Sequence, residues 1–164
     1  MSSKRSSYEK GHKRKYLVVI DDTEECDRAM YWAAKRAGRT KSQIVMLRVI
    51  ETAERSQQWL GVADIMKAEA REAANAVLDK FAARAKDIAG VTPDRVIREG
   101  GSAEQIVKLI DEDADIGILV LAAGTSKEGP GPLVSNIGKN AGSFPIPVAI
   151  IPGHLTDDDL DAMS

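Results

Sequence analysis

The feature that most constrains the fold is an alternation between short, continuous apolar runs and segments with helical spacing. Five runs rich in aliphatic and β-branched residues predict strands at 16–20, 44–50, 95–98, 116–121 and 147–151. Between them, apolar residues recur at steps of three and four, which predicts helices. Uninterrupted apolar strands are typical of parallel sheets covered on both faces, and parallel strands need right-handed crossovers. The sequence therefore predicts a doubly wound, Rossmann-like α/β domain with a five-stranded parallel sheet.

Capping signals predict where the first and third helices begin. Asp22 or Thr23 is the expected N-cap of the first helix, and Gly38 is the expected residue beyond its end. The stretch from Ser102 to Gln105 has the form of a capping box for the third helix.

The second helix is predicted to start at Val62 and to end at Gly90, with a continuous apolar stripe. Ile65 and Met66 are expected on that stripe near its start. A brief fourth helix is predicted over residues 133–141.

Length and charge predict one domain with polar ends. The 164 residues suit a single core, which we place at 14–153 between a flexible basic tail at 1–13 and an acidic tail at 154–164. Both tails are expected to be solvated. The net charge of −2 and the lack of a basic domain with interleaved aromatic residues make nucleic-acid binding unlikely.

Other classes of protein and site find little support in the sequence. No apolar run is long enough for a membrane helix, and the N-terminal residues do not resemble a secretory signal. Cys26 is the single cysteine and His12 and His154 lie near opposite ends, so no histidine or thiolate metal cluster is expected. We therefore expect a cytoplasmic protein with no bound structural metal.

Ligands of doubly wound sheets bind beyond the carboxyl ends of the strands. The walls of such a crevice are expected in Asp21–Thr23, Glu51 onward, Gly100–Ser102 and Gly124–Ser135. Asp21 is either a ligand-facing carboxylate or part of the helix start, and Asp22 is the better candidate for the cap. Gly100–Ser102 is either an anion site at a helix N-terminus or a plain turn with an N-cap.

The segment GTSKEGPGPLVS, residues 124–135, has mixed signals for phosphate binding. Its three glycines permit close backbone approach, and Lys127 supplies a positive charge. It matches neither G-x-x-x-x-G-K-[ST] nor G-x-G-x-x-G. Pro130 and Pro132 stiffen the loop and remove two backbone donors. The loop is therefore a candidate ligand contact with a reduced capacity to cradle phosphate.

Two further residues have alternative interpretations. Trp59, followed by Leu60, is either an exposed anchor for a partner or a pair folded under its own connection. Cys26 falls on the apolar face of the first helix, which favours an inert, packed thiol. No Ser-His-Asp or Cys-His arrangement is evident, so the sequence does not demand an enzyme.

The order and spacing of five blocks resemble the universal stress protein family over nearly all of residues 14–153. The blocks are KYLVVIDDTEECDRAMYWAAKRA, IVMLRVIE, VIREGGSAEQIVKLIDED, DIGILVLAAG and SFPIPVAIIPG. The resemblance implies a sheet in the order 3-2-1-4-5. It also implies a homodimer formed through the last strand, Ile146 to Ile151, with Pro145 and Pro147 confining that strand to a sheet edge.

Some members of that family bind ATP, and the resemblance extends to part of their site. Asp21 matches the aspartate that contacts the nucleoside, and Val49 matches the adenine-contacting position. The family's G-x2-G-x9-G-[ST] loop is shortened here, and only Ser135 is cleanly retained. A bound nucleotide is expected to contact the following residues: Asp21, Val49, Gly124, Lys127, Gly129, Gly131 and Ser135.

Three functional hypotheses follow. The first is a homodimeric stress-response protein that binds ATP or a related nucleotide between the first and fourth strands, with Mg²⁺ only when the nucleotide is bound. The second is an interaction module that binds no nucleotide and uses a partner surface near Trp59. The third is a weak ATPase, which is disfavoured because no positioned general base is evident.

Overall fold

The computed structural model of the chain describes residues 4–51 and 64–164. The strands are β1 (Lys15–Val19), β2 (Gln43–Glu51), β3 (Asp94–Gly100), β4 (Ile116–Ala123) and β5 (Val148–Pro152). The helices are α1 (Cys26–Thr40), α2 (Asp64–Ala89), α3 (Ser102–Glu112), α4 (Pro132–Lys139) and α5 (Asp157–Met163), with a 3-10 turn at Ala141–Ser143. The five strands are parallel and lie in the order β3-β2-β1-β4-β5. The predicted α/β class and strand order are confirmed.

Strand β1 lies in the middle of the sheet and is buried on both faces. Tyr16 and Val18 belong to a core that includes side chains of α1, α2 and α5. Leu17 and Val19 belong to a second core with side chains of α3 and α4. Because successive side chains of a strand point to opposite faces, an unbroken apolar run fills both cores at once.

The end of α1 differs from the prediction at Gly38. The helix continues through this glycine to Thr40, and Lys41 adopts the left-handed conformation with φ 55°. A Cβ placed on Gly38 would lie 3.1 Å from the Cβ of Ala89 in α2. The glycine therefore allows α1 and α2 to approach closely, and it does not end the helix.

Helix α2 buries a narrower stripe than predicted. Ala74, Leu78, Phe81 and Ala85 are buried, whereas Ile65 and Met66 are 68% and 57% exposed. The prediction that these two residues are buried is wrong, because the stripe engages the core only from Ala74 onward. The helix ends before Gly90 as predicted; its predicted start at Val62 lies outside the described residues.

The acidic C-terminal segment is folded, so the prediction of a solvated tail is wrong there. Residues 157–163 form α5, which starts with a capping box between Thr156 and Asp159. Leu160 is 1% exposed and belongs to the core shared with α1. The Tyr31 hydroxyl donates to Asp161 at 2.8 Å, and burial together with this carboxylate raises the pKa of Tyr31 to about 12. Asp161 is therefore bonded to α1, as is Asp157, which accepts from Arg28 at 2.7 Å.

The described part of the basic N-terminal segment also contacts the domain. Arg5 donates to the carbonyl oxygens of Ile110, Asp113 and Ile116, at 2.8, 3.2 and 3.1 Å. These carbonyls lie around the end of α3 and the start of β4, where helix acceptors lack intrahelical partners. The predicted solvated tail is therefore corrected to a segment that caps α3.

We expect Leu160→Ala to lower the free energy of unfolding by about 2 to 5 kcal/mol, the usual cost of emptying a buried leucine site. Met163→Ala is the matched control, because Met163 lies in the same helix and is 59% exposed. Urea unfolding followed by circular dichroism measures both. Equal stability of the two variants would contradict the assignment of α5 to the core.

Cys26 predicts a specific pH dependence of stability. Its thiol is buried, its Sγ lies 3.6 Å from the carbonyl oxygen of Val19, and burial raises its pKa from 9.0 to about 12. Because the folded state favours the neutral thiol, this contribution is complete below pH 9.0 and is lost as pH rises toward 12. We expect the wild type to lose more stability than Cys26→Ala between pH 8 and pH 10.5, measured by urea unfolding. Parallel pH profiles would contradict the buried, neutral thiol.

Candidate functional site

The carboxyl ends of β1 and β4 border a cleft of about 420 Å³. This is the position at which neighbouring connections run to opposite sides of the sheet, where doubly wound proteins bind ligands. β1 and the segment after it contribute Val19 and Asp21, and β4 contributes Leu121 and Ala122. The remaining wall comes from the segment between Thr23 and Cys26 at the start of α1, from Glu51, from the start of α3 and from the segment between Pro130 and Asn136. The predicted location of the crevice is confirmed.

Asp21 lies on the wall of this cleft and also holds the turn after β1. Its Oδ1 accepts hydrogen bonds from the Thr23 backbone amide at 2.9 Å and from the Thr23 hydroxyl. These bonds form an Asx turn before α1. Asp21 can therefore belong to the turn before α1 and also face a ligand, because only one of its two carboxylate oxygens is used in the turn.

Neither Asp22 nor Thr23 caps α1, so the predicted N-cap is wrong. The helix begins at Cys26, preceded by Glu25, and no side chain caps it. Both carboxylate oxygens of Asp22 instead lie 2.9 Å from Nη2 of Arg48 in β2. Arg48 also donates to the carbonyl oxygen of Ile20 at 3.3 Å. The pair therefore ties the end of β1 to β2.

A second cleft of about 400 Å³ lies beside the first, between the ends of β1 and β2 and helix α2. Val49 lines this cleft, and α2 contributes Ala70, Ala73 and Ala74. Asp21, Glu51 and Ser102 line both clefts. Their shared wall brings Val49 and Asp21, which the sequence predicted as site residues, to one continuous surface.

The loop after β4 forms a third depression, of about 480 Å³. Gly124, Gly129, Gly131 and Ser135 line it, as the sequence predicted, whereas Lys127 does not line any of these three clefts. Gly129 and Gly131 have φ of 103° and 109°, a conformation that favours glycine. Six of the seven predicted site residues therefore border the clefts.

Much of the loop's hydrogen-bonding capacity is used within the loop. The Gly124 amide donates to the carbonyl oxygen of Pro130 at 3.0 Å, and the Gly129 amide donates to that of Ser126 at 3.1 Å. The Glu128 amide donates to the Ser126 hydroxyl at 3.3 Å. Pro130 and Pro132 have no amide hydrogen. These bonds stiffen the loop and occupy the amides of Gly124, Glu128 and Gly129.

The start of α3 also differs from the prediction. Gly101 occupies the N-cap position, Ser102 is the first helical residue, and no side chain caps the helix, so the predicted capping box is wrong. The Ser102 hydroxyl instead donates to Oε1 of Glu51 at the end of β2. Gly100 has φ 136°, and a Cβ there would lie 2.9 Å from Nε2 of the buried Gln105. The Glu51 carboxylate therefore lies at the amino end of α3, where the sequence suggested an anion site.

Glu25 is a site residue that sequence reasoning missed. It is half-buried and lines both the β1–β4 cleft and the loop depression. A Cβ on Gly124 would lie 3.1 Å from Oε2 of Glu25, and a Cβ on Gly153 would lie 3.0 Å from its Cβ. The sequence signal is an acidic residue four positions beyond Asp21, near the predicted start of the first helix.

Metal clusters and membrane-spanning helices find no support in residues 4–51 and 64–164. Within those ranges, no three His, Cys, Asp or Glu side chains are grouped to hold a metal ion, and no helix has the length and apolarity of a membrane span. Cys26 lines the β1–β4 cleft, but its raised pKa keeps the thiol neutral near pH 7, in agreement with the predicted inert role. Trp59, the predicted partner anchor, lies outside the described residues.

Solved structures resemble this fold over most of the chain. Universal stress protein UspA from Lactobacillus plantarum has a TM-score of 0.62 and 16% identity, covering 85% of this chain and 97% of its own. A universal stress protein in complex with cAMP has a TM-score of 0.57 and 16% identity, with coverages of 86% and 98%. The Archaeoglobus fulgidus universal stress protein in complex with dAMP has a TM-score of 0.58 and 14% identity, with coverages of 85% and 98%.

Comparison at the level of sequence families gives the assignment. A search of curated proteins found no match. The model of the universal stress protein family matches residues 13–152, which include all five strands of the sheet. This match agrees with the five sequence blocks and with the strand order 3-2-1-4-5. The chain belongs to the universal stress protein family.

Proposed function

We propose that the protein is a cytoplasmic, homodimeric stress-response protein that binds an adenine nucleotide at the carboxyl edge of its sheet. The observation that carries this proposal is the continuous surface from Val49, past Asp21, to the loop after β4. Two proteins of similar fold were solved with cAMP and with dAMP, which supports an adenine ligand. The proposed activity is binding, since no general base is evident for hydrolysis.

Each part of the surface suits a different part of the ligand. The cleft beside α2 has apolar alanine side chains and Val49, which suit the flat face and edge of a base. Asp21 has a carboxylate oxygen outside the Asx turn, which can accept a hydrogen bond from a ribose hydroxyl. The glycines after β4 permit the backbone to approach the remainder of the ligand.

We expect Asp21→Ala to weaken the binding of AMP at least tenfold, because a hydrogen bond to a charged group contributes about 1.5 to 3 kcal/mol. Asp21→Asn keeps an oxygen that can accept from Thr23, so it separates loss of the ligand contact from loss of the turn. Asp158→Ala in α5 is the control, because Asp158 is exposed and lines none of the clefts described above. Isothermal titration calorimetry measures all four proteins.

The same proposal has a simpler test. Protein isolated from cells is denatured, and the released small molecules are separated and identified by mass spectrometry. An adenine compound in the supernatant supports the proposal. Its absence, together with no thermal shift on adding adenosine, AMP or Mg-ATP, would refute nucleotide binding.

The proposed homodimer forms through the edge strand β5. This strand is hydrogen-bonded to β4 on one side, and no described strand pairs with its other side. Ile150 in β5 is 43% exposed, and Pro147 precedes the strand. An exposed, partly apolar edge is a template for pairing with a second chain, which supports dimerisation here.

We expect Ile150→Lys to shift the protein from dimer to monomer, because a lysine on a sheet edge opposes pairing. Val107→Lys is a matched control: Val107 is also 43% exposed but lies in α3, away from β5. Light scattering coupled to size-exclusion chromatography gives the mass of each variant. A wild type that is monomeric at all concentrations, or a dimer that Ile150→Lys leaves intact, would contradict the proposed interface.

A further inference from the structure

Acidic side chains line the β1–β4 cleft and the loop depression, which adjoin the surface proposed for the base and ribose. The β1–β4 cleft and the loop depression together have five carboxylates, namely Asp21, Glu24, Glu25, Glu51 and Glu128. Among the described residues, no Lys, Arg or His lines either of these two spaces. A ligand with several negative charges would therefore enter a negative field.

Glu25 lies at the junction of these two spaces. It is half-buried and borders both, and its carboxylate is packed closely against Gly124 at the start of the loop. Across residues 4–51 and 64–164 it has no ion-pair partner. Arg28 borders an adjoining depression together with Glu25, but its guanidinium is bonded to Asp27 and Asp157.

The amino end of α3 is a position that would favour a phosphate, and Glu51 lies beside it. The amino end of a helix attracts anions because its first amides lack partners. Here the end of α3 has no capping side chain, and Ser102 in its first turn donates to the Glu51 carboxylate. The helix end is thus matched with a carboxylate of the chain itself.

The cations near the site do not offset these charges. Arg48 lines the cleft beside α2, on the side proposed for the base, and its guanidinium is bonded to both oxygens of Asp22. Lys127 belongs to the loop but does not line the clefts. The loop amides of Gly124 and Gly129 donate within the loop, so these two amides are not available to a phosphate.

We infer that the cleft selects adenine ligands with at most one phosphate and discriminates against the triphosphate through Glu25 and Glu51. This inference rests on the proposed nucleotide-binding function and specifies its ligand class. The base and ribose are recognised on the side of Val49 and Asp21, and each added phosphate meets a carboxylate that the fold holds in place. Affinity therefore falls along the series from adenosine and AMP to ADP and ATP.

Calorimetric titration of the full chain with adenosine, AMP, ADP and ATP in buffer containing EDTA tests this order. We expect AMP to bind at least tenfold more tightly than ATP. Raising the salt concentration screens the repulsion, so the gap between AMP and ATP is expected to narrow.

The variant Glu25→Gln/Glu51→Gln keeps the size and hydrogen-bonding shape of both side chains and removes both charges. We expect it to raise the affinity for ATP relative to adenosine at least tenfold. The control Glu72→Gln/Asp158→Asn removes two exposed acids in α2 and α5 and is expected to leave that ratio unchanged. Glu51→Gln alone, at an exposed position, serves if the double variant does not fold.

The outcomes separate the inference from the function on which it rests. If none of the four compounds binds, the proposed function fails. If adenosine or AMP binds but ATP binds equally well or better, with EDTA or with Mg²⁺, the charge selection is wrong and nucleotide binding stands. An unchanged ratio in the glutamine variant would also overturn the role of Glu25 and Glu51.

Discussion

The burial of β1 on both faces is the constraint on which the rest of the structure depends. Leu17 and Val18 are fully buried, and they point into separate cores covered by different helices. Helix α1, which follows β1, packs in one of these cores, and α4, which follows β4, packs in the other, so the two connections leave on opposite sides of the sheet. The crevice between β1 and β4 is therefore a consequence of how the core is filled. Asp21 is the first polar residue after the buried run, and it lies on the wall of that crevice.

The short segment between β1 and α1 shows how similar residues acquire different roles from their surroundings. Asp21 forms an Asx turn with Thr23, Asp22 pairs with Arg48, and Glu25 borders the cleft. None of them caps α1, although their spacing suits a cap. The ion pair with Arg48 draws Asp22 toward β2, since a guanidinium offers a carboxylate a stronger interaction than a helix amide does. Helix α1 begins without a side-chain cap because packing of its Ala-rich face on the sheet stabilises it.

The sequence predicted the strands and the sheet because their signal is local. A continuous apolar run requires cover on both faces wherever it lies, and all five runs became strands with ends shifted by a few residues. The errors concern contacts between residues distant in the chain. Gly38 was interpreted as a helix end, but its role depends on Ala89 in another helix. Leu160 lies in an acidic segment, so only its contact with α1 distinguishes α5 from a solvated tail. The carboxylate of Glu25 likewise became a site residue through the approach of Gly124, which no local pattern encodes.

The stiffness of the loop after β4 and the acidity of the cleft act in the same direction. A loop that cradles phosphates must present free amides, and a loop that holds its own shape uses those amides internally. In this chain the Gly124 amide closes the loop on Pro130, which has no amide of its own. Glu25 borders this loop, and Glu51 lies on the wall of the β1–β4 cleft at the end of β2. Under the proposed selection, neither carboxylate has a triphosphate to oppose. The same carboxylates would oppose the binding of a triphosphate at this loop, because carboxylate and phosphate have negative charges that repel each other. The shortened, proline-containing loop and the acidic wall are therefore both consistent with the proposed selection, in which recognition is concentrated at the ends of β1 and β2.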